Sequence, residues 1–252
     1  RQTKEVIEEY WDLRSASYAK GVTGSRKQER EIWKRCLAAY VCDMHIKKAL
    51  DVGTGTGFLS LILYDMGIDV TGMDLSRGML SQAKDASFHQ KVHLDLCQGD
   101  AESLPFQSSS FDLVTSRHLL WTLPQPNKAL AEWMRILKPG GRILAIDGNW
   151  HDPSASKKLA RRISAIVACL SHEKNPVPFR RFYEPIGKHL PLFENSRPDR
   201  CMELFETAGL DDVAIDSLRD VNRFYGSHTN LSYRLANADT VFLVKGNKTE
   251  NL

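Results

Sequence analysis

The 252-residue chain has only five cysteines (Cys36, Cys42, Cys97, Cys169 and Cys201), an odd number with no C-x-x-C pair. A disulfide framework and a structural zinc site are therefore not expected, and a reducing compartment fits best. Long hydrophobic runs are absent as well. The stretch Phe58–Leu63, beside a candidate helix, falls far short of the ~20 residues that span a bilayer. Arg1–Tyr10 is charged throughout and lacks the apolar stretch of a signal peptide, so the chain reads as cytoplasmic. Charge of one sign is lacking too: 34 Lys+Arg face 31 Asp+Glu, a net +3. No basic stripe with interleaved aromatics marks a nucleic-acid groove, and Arg161, Arg162, Arg180, Arg181 and Lys188 read as a solvated face. What is present is an ordinary balance of 42% hydrophobic and 26% charged residues, enough to bury a core and too apolar for a disordered chain.

The apolar periodicity divides the chain into a sequence of elements. Thr3–Leu13 places Val6, Ile7, Tyr10 and Leu13 at helical spacing, and a loop is expected over Ser15–Gly24. A second helix carries Ile32, Trp33, Cys36, Leu37 and Tyr40. From Lys48 short strands (Lys48–Val52, Asp69–Met73, Val92–Gln98, Phe111–Ser116, Arg142–Ile146) alternate with helices (Gly57–Met66, Arg77–Ala86, Asn127–Leu137). That alternation predicts an α/β fold with a mostly parallel sheet and helices on both faces. Pro139-Gly140-Gly141 predicts a sharp stop between the last of these helices and its strand. A helix over Ser156–Ser171 and an irregular, five-proline stretch over Asn175–Pro198 follow. A helix at Asp199–Ala208 and strands at Val213–Leu218 and Val241–Lys245 close the pattern. The expected organisation is one domain: residues 1–45 a helical cap, 46–150 a cofactor-binding core, 151–198 a substrate lid, and 199–252 the rest of the sheet. Long insertions of this kind usually carry function.

The strongest local signal is Asp51-Val52-Gly53-Thr54-Gly55-Thr56-Gly57-Phe58, which ends a strand and opens a helix. Glycines allow the tight turn and bring backbone N–H groups close to a ligand. Asp74 ends the next strand, roughly twenty residues on, where a carboxylate can accept from both hydroxyls of a ribose. The dinucleotide fingerprint would need glycine at position 58, which is Phe58. Asp51 beside the loop also disfavours a pyrophosphate and suits an ammonium or sulfonium. NAD is thereby disfavoured in favour of S-adenosylmethionine.

At this point the sequence resembles the Rossmann-like S-adenosylmethionine-dependent methyltransferases, especially those of ubiquinone and menaquinone biosynthesis. The motifs are Asp51–Gly57, Asp74 within Thr71–Ser76, Gly99-Asp100-Ala101-Glu102-Ser103-Leu104-Pro105-Phe106, and Leu137-Lys138-Pro139-Gly140-Gly141-Arg142, with a fainter echo in Tyr10-Trp11-Asp12 and Tyr18. The resemblance implies seven strands with the last antiparallel, and S-adenosylmethionine as cofactor. It implies that the backbone at Gly53, Thr54 and Gly55 holds the methionine end, with Gly57 also in the cofactor-binding loop, while Asp51 orders the loop or meets the amino group. Asp74 would take the ribose. Asp100, Ala101 and Glu102 would mark the adenine end, with Leu75 and Met79 on either side of the ring, although Met79 is equally readable as core. Arg117 would lie near the methionine moiety and Tyr18 would close over it.

Ligands of open α/β sheets bind beyond the carboxyl ends of the strands. His118 and His151 stand there with the pKa of a general base, or simply bonded to loop backbone. Trp121 and Trp150 line a pocket or cover the sheet edge, and Tyr183 with the insertion's other aromatics and arginines suits a ring-bearing or acidic small molecule. Ser116-Arg117-His118-Leu119 is not the [DNS]-P-P-[YFW] signature of base and amide methylation. The expectation is methyl transfer to a small-molecule acceptor, with no nucleic acid, membrane span or metal. The rivals are a non-catalytic S-adenosylmethionine-binding module and, further off, an NAD-dependent oxidoreductase.

Overall fold

The computed structural model describes residues 2–19, 26–150, 154–170, 177 and 179–250. Seven strands form one sheet in the order β3-β2-β1-β4-β5-β7-β6: β1 (Lys48–Val52), β2 (Asp69–Asp74), β3 (Asp95–Gln98), β4 (Phe111–Arg117), β5 (Leu137–Gly148), β6 (Asp211–Asp216) and β7 (Val241–Asn247). β3, β2, β1, β4 and β5 run parallel, while β7 pairs antiparallel with both β5 and β6. The central strands are apolar on both faces because helices cover both faces. Leu50 and Val114 point into one core, and Ala49 and Leu113 into the other, all four fully buried.

The first two helices, α1 (Thr3–Tyr18) and α2 (Arg26–Val41), precede the sheet, and α3 (Phe58–Asp65) and α4 (Arg77–His89) are the first crossovers. α1 does not stop at Leu13. The loop expected from Ser15 is helical through Tyr18, its hydroxyls at Ser15 and Ser17 donating to the carbonyls of Asp12 and Arg14 and its turn held against α4. α1 lies so close to the start of α4 that a Cβ at Gly78 would stand 2.9 Å from Ser15 Oγ. The contact is fixed by Asp12 Oδ1, which accepts from Ser76 Oγ (2.5 Å) and Gly78 N–H (2.8 Å).

α5 (Pro126–Ile136) leads into β5, which takes in the Pro-Gly-Gly segment expected to separate them. Leu137 already pairs with Phe111, and an irregularity before the Leu113–Arg142 pair absorbs the glycines. β3 is shorter than the pattern suggested, starting at Asp95. After β5 come α6 (Ala155–Leu170), α7 (Phe179–Tyr183) and α8 (Pro198–Thr207). Thus the stretch expected to be irregular holds a helical turn. Two further helices, α9 (Arg219–His228) and α10 (Leu231–Asn237), fill the segment between β6 and β7 that periodicity had left unassigned. α9 puts Val221, Phe224 and Tyr225 into the core beside Trp33 of α2.

Candidate functional site

The strand order reverses between β1 and β4, and a cavity opens at their carboxyl ends, at the topological switch point where open α/β sheets bind ligands. Its floor is the glycine loop. Gly53, Gly55 and Gly57 all have positive φ, at +67°, +57° and +78°. A Cβ on Gly53 would meet Leu119 at 2.9 Å, whereas the space beyond Gly55 is open. Gly57 is not a cavity residue; it opens α3, where a Cβ would press on Ala83 of α4.

Asp51 holds this loop in shape. Its buried carboxylate accepts from Thr54 Oγ1 (2.8 Å), Ser60 N–H (3.1 Å), Ser60 Oγ (2.7 Å) and Thr115 Oγ1 (3.2 Å). Burial pushes its pKa up, opposed by these hydrogen bonds. Of the two roles left open for it, loop ordering is the one its bonds serve. Asp74 crosses from β2 to the same loop, one oxygen accepting from Gly55 N–H (2.8 Å) and the other from Ser76 N–H (2.9 Å). Burial raises its pKa to about 6 against those two bonds, and the charges of Asp51 and Asp12 add to the rise. Each oxygen keeps a second lone pair for a ligand.

Leu75, Met79, Gly99, Asp100 and Ala101 line the next wall, with Met79 otherwise buried. Asp100 is already engaged: Oδ1 accepts from Glu102 N–H (2.9 Å) and Oδ2 from Lys4 Nζ (2.6 Å). Glu102 faces away from the cavity, accepting from Gln125 N–H (2.6 Å) and pairing with Lys4 (2.5 Å). Lys4 of α1, between the two carboxylates, was not singled out from sequence. Its only signal was a charge on the first helical turn.

At the exit of β4, Arg117 and His118 both line the cavity. The Arg117 guanidinium lies 4.2 Å from the Phe58 ring centroid and 5.9 Å from that of Trp33. Burial opposes its charge, and nearby Tyr18, Tyr225, Glu29 and Asp51 outweigh that and keep its pKa above the ordinary arginine value. His118 sits in the left-handed region (φ +59°), a strained conformation for a histidine and one that clusters at functional sites. Its Nδ1 is 3.9 Å from Oδ1 of the fully buried Asp147. Burial lowers the His118 pKa, and the positive charge of Arg117 adds to this against the pull of Asp147. His118 Nδ1 and Asp147 Oδ2 are buried without a hydrogen bond among the described residues. Trp150 stands edge-on to His118 at 5.2 Å and covers Gly148, outside the cavity wall. His151 lies outside the described residues.

The roof comes from distant segments. α1 contributes Lys4, Ile7, Trp11 and Tyr18 to the cavity wall, and the 3-10 turn Leu120–Thr122 and its flanks add Leu119, Thr122, Leu123 and Pro124. Behind them Tyr10, Trp121, Phe179, Tyr183 and Phe193 pack as one aromatic cluster. Phe179 and Tyr183 stack at 4.5 Å, Trp121 lies 5.2 Å from Tyr183, and Tyr10 meets Tyr183 edge-on at 5.1 Å. Trp121 and Tyr183 therefore sit in this packing and not on the cavity wall, yet the Trp121 indole N–H and the Tyr183 hydroxyl are buried without hydrogen bonds among the described residues. Burial raises the Tyr183 pKa far above that of an ordinary phenol.

These residues fit S-adenosylmethionine. Open space over Gly55 leaves room beside the loop, Asp74 retains acceptor capacity next to it, and Leu75, Met79 and Ala101 offer apolar faces for a ring.

Residues 50–145 match a family described as "Methyltransferase domain". The chain is similar to the demethylmenaquinone methyltransferase of Staphylococcus haemolyticus, at 31% identity over 196 residues, 75% of this chain and 79% of that one. It is also similar to that of Renibacterium salmoninarum, at 38% over 115 residues, and there the match spans about half of each protein (46% and 47%). Among solved structures, phosphoethanolamine N-methyltransferase 2 of Haemonchus contortus, in complex with phosphomonomethylethanolamine and S-adenosylhomocysteine, superposes with a TM-score of 0.65 at 18% identity. That superposition covers 99% of this chain and 61% of that one, a likeness of fold.

Proposed function

The chain belongs to the S-adenosylmethionine-dependent methyltransferases, and from that premise we propose that it methylates a small, neutral acceptor bearing a weakly acidic hydroxyl, a phenol or quinol, between α1 and the exit of β4. When bound, S-adenosylmethionine supplies a methyl group on a sulfonium whose leaving group is a neutral thioether. The protein's work is then to align two molecules and to manage one proton. Asp74 and the glycine loop would hold the cofactor, with Leu75 and Met79 bounding its ring. Ile7, Trp11, Leu119 and Leu123 give the remaining wall an apolar character and exclude water.

The charges argue for a neutral acceptor. Both cations that line the cavity are engaged: Lys4 by Asp100 and Glu102, and Arg117 by the ring of Phe58. An anionic acceptor would have to compete for them. A hydroxyl needs a base instead, and His118 is suited to it. Its lowered pKa keeps the imidazole unprotonated at neutral pH, and Asp147 behind Nδ1 would stabilise the imidazolium formed when the other nitrogen takes the proton. The observation that carries the proposal is this half-buried histidine, its Nδ1 buried against a buried carboxylate, in the wall of the same cavity as the glycine loop.

The test is transfer of labelled methyl from S-adenosylmethionine to a panel of phenols, quinols, thiols and carboxylic acids. Demethylmenaquinone, which both relatives' names contain, heads the panel in its reduced form. The expected result is transfer to a phenol or quinol that falls about 10²-fold or more in His118→Gln with cofactor binding retained. Transfer only to carboxylates, or an undiminished rate in that variant, would refute it.

A further inference from the structure

Four of the large apolar side chains most exposed to solvent lie on two helices that pack together. Leu159 (59% exposed), Ile163 (43%) and Ile166 (61%) are on α6, and Leu231 (50%) is on α10. On α6 the three occur at spacings of four and three, which puts them on one side of the helix, while Ser164 faces inward and bonds to the Ser232 carbonyl of α10. The exposed cations Lys158 and Arg162 run beside this stripe, and Arg234 extends the pattern on α10. Within the two helices there are four Lys/Arg on α6, one on α10 and no Asp or Glu on either. A merely solvated face would mix both signs and would not carry a row of isoleucine and leucine. No helix among the described residues is long and apolar enough to cross a membrane, so this stripe has the pattern of a surface helix, not of a span.

We propose that the α6–α10 face docks on an anionic lipid surface, with Leu159, Ile163, Ile166 and Leu231 entering the headgroup–acyl boundary and Lys158, Arg162 and Arg234 facing lipid phosphates. The occupant is set by charge complementarity: within the two helices every charged side chain beside the apolar stripe is cationic, with Asp239 just beyond α10, and this matches a negative interface. α6 follows the carboxyl end of β5, the edge of the sheet on which the cavity opens. Docking there brings the acceptor cavity's end of the molecule to the membrane, where a poorly water-soluble acceptor would be found.

Cosedimentation of the full chain with vesicles tests this, using phosphatidylcholine alone and an equimolar mixture with phosphatidylglycerol. Binding is expected to the mixed vesicles, weak to the neutral ones, and reduced by salt. Leu159→Ser/Ile163→Ser/Ile166→Ser and, separately, Lys158→Glu/Arg162→Glu should each weaken it about tenfold or more, with S-adenosylhomocysteine binding unchanged as a check on folding. Equal binding of wild type and both variants, or no preference for anionic vesicles, would overturn the proposal. So would concentration-dependent self-association in sedimentation velocity that the serine variant abolishes, because the face would then join two copies of the chain.

Discussion

The floor and the roof of the cavity are built by different physics. The floor draws on the ends of successive strands from β1 to Ala101, and its described polar groups answer one another. Asp51 alone takes four hydrogen bonds, and Asp74 ties two loops together. The roof joins α1, the turn after β4 and α7, three segments distant in sequence, by stacked rings. Within it and just beneath it, polar atoms such as Trp121 Nε1, Tyr183 OH and His118 Nδ1 are left unpaired among the described residues. A ligand's common part is best held by a rigid, fully satisfied frame, whereas a specific acceptor is best met by packing that carries spare hydrogen-bonding capacity. The contrast fits the proposal that the floor would hold the cofactor and the roof would meet the acceptor.

Substitutions can break that contrast, and the largest effect belongs to the floor. Asp51→Ala strands the buried donors of Ser60 and Thr115 and is expected to destabilise the fold by about 3 kcal/mol or more, measured by urea unfolding. A loss below about 1 kcal/mol would mean that the loop holds its shape without the carboxylate. Gly53→Ala adds a Cβ against Leu119 at positive φ, and should cost about 1–2 kcal/mol and weaken S-adenosylhomocysteine binding about tenfold. In the roof the expected effect is small. Tyr183→Phe removes a hydroxyl that lies in the packing behind the cavity wall without a hydrogen bond among the described residues, so stability should stay within about 1 kcal/mol of wild type with S-adenosylhomocysteine binding retained, against the large loss at Asp51.

The pH dependences sharpen the same division. Asp74 is ionised only above about 6, and the ionised form is the better acceptor for hydroxyls. S-adenosylhomocysteine affinity should therefore be full above that pH and decline by at most tenfold per unit below it. A base acts unprotonated, and burial lowers the His118 pKa, so the acid limb of kcat should lie below the ordinary histidine value of 6.5. A limb above 6.5 would remove His118 from that role.

The same contrast governed what the sequence could reveal. The floor was legible because glycines, a strand-ending carboxylate and alternating apolar runs are local signals, and β1 begins and ends at Lys48 and Val52 as read from periodicity. The roof was legible only in part: Tyr18 was expected to close over the site and does line the cavity, but nothing near Tyr10 announces that Phe179 will pack in the same cluster, and Lys4 gains its meaning only from carboxylates nearly a hundred residues away. The loop expected over Ser15–Gly24 starts later because α1 runs on to Tyr18, where the hydroxyls of Ser15 and Ser17 bond back to the helix. α9 carried a readable pattern in Val221, Phe224 and Tyr225, and it starts abruptly at Leu218 in a left-handed conformation with no capping side chain to announce it.

Calorimetric titration of S-adenosylhomocysteine into wild type and Asp74→Ala tests the assignment of the floor most directly. Two charge-assisted acceptor positions are lost in the variant, and the account predicts binding weakened about 100-fold or more, with the unliganded variant still cooperatively folded. Equal affinity in the two proteins, or heat from NAD and none from S-adenosylhomocysteine, would contradict it.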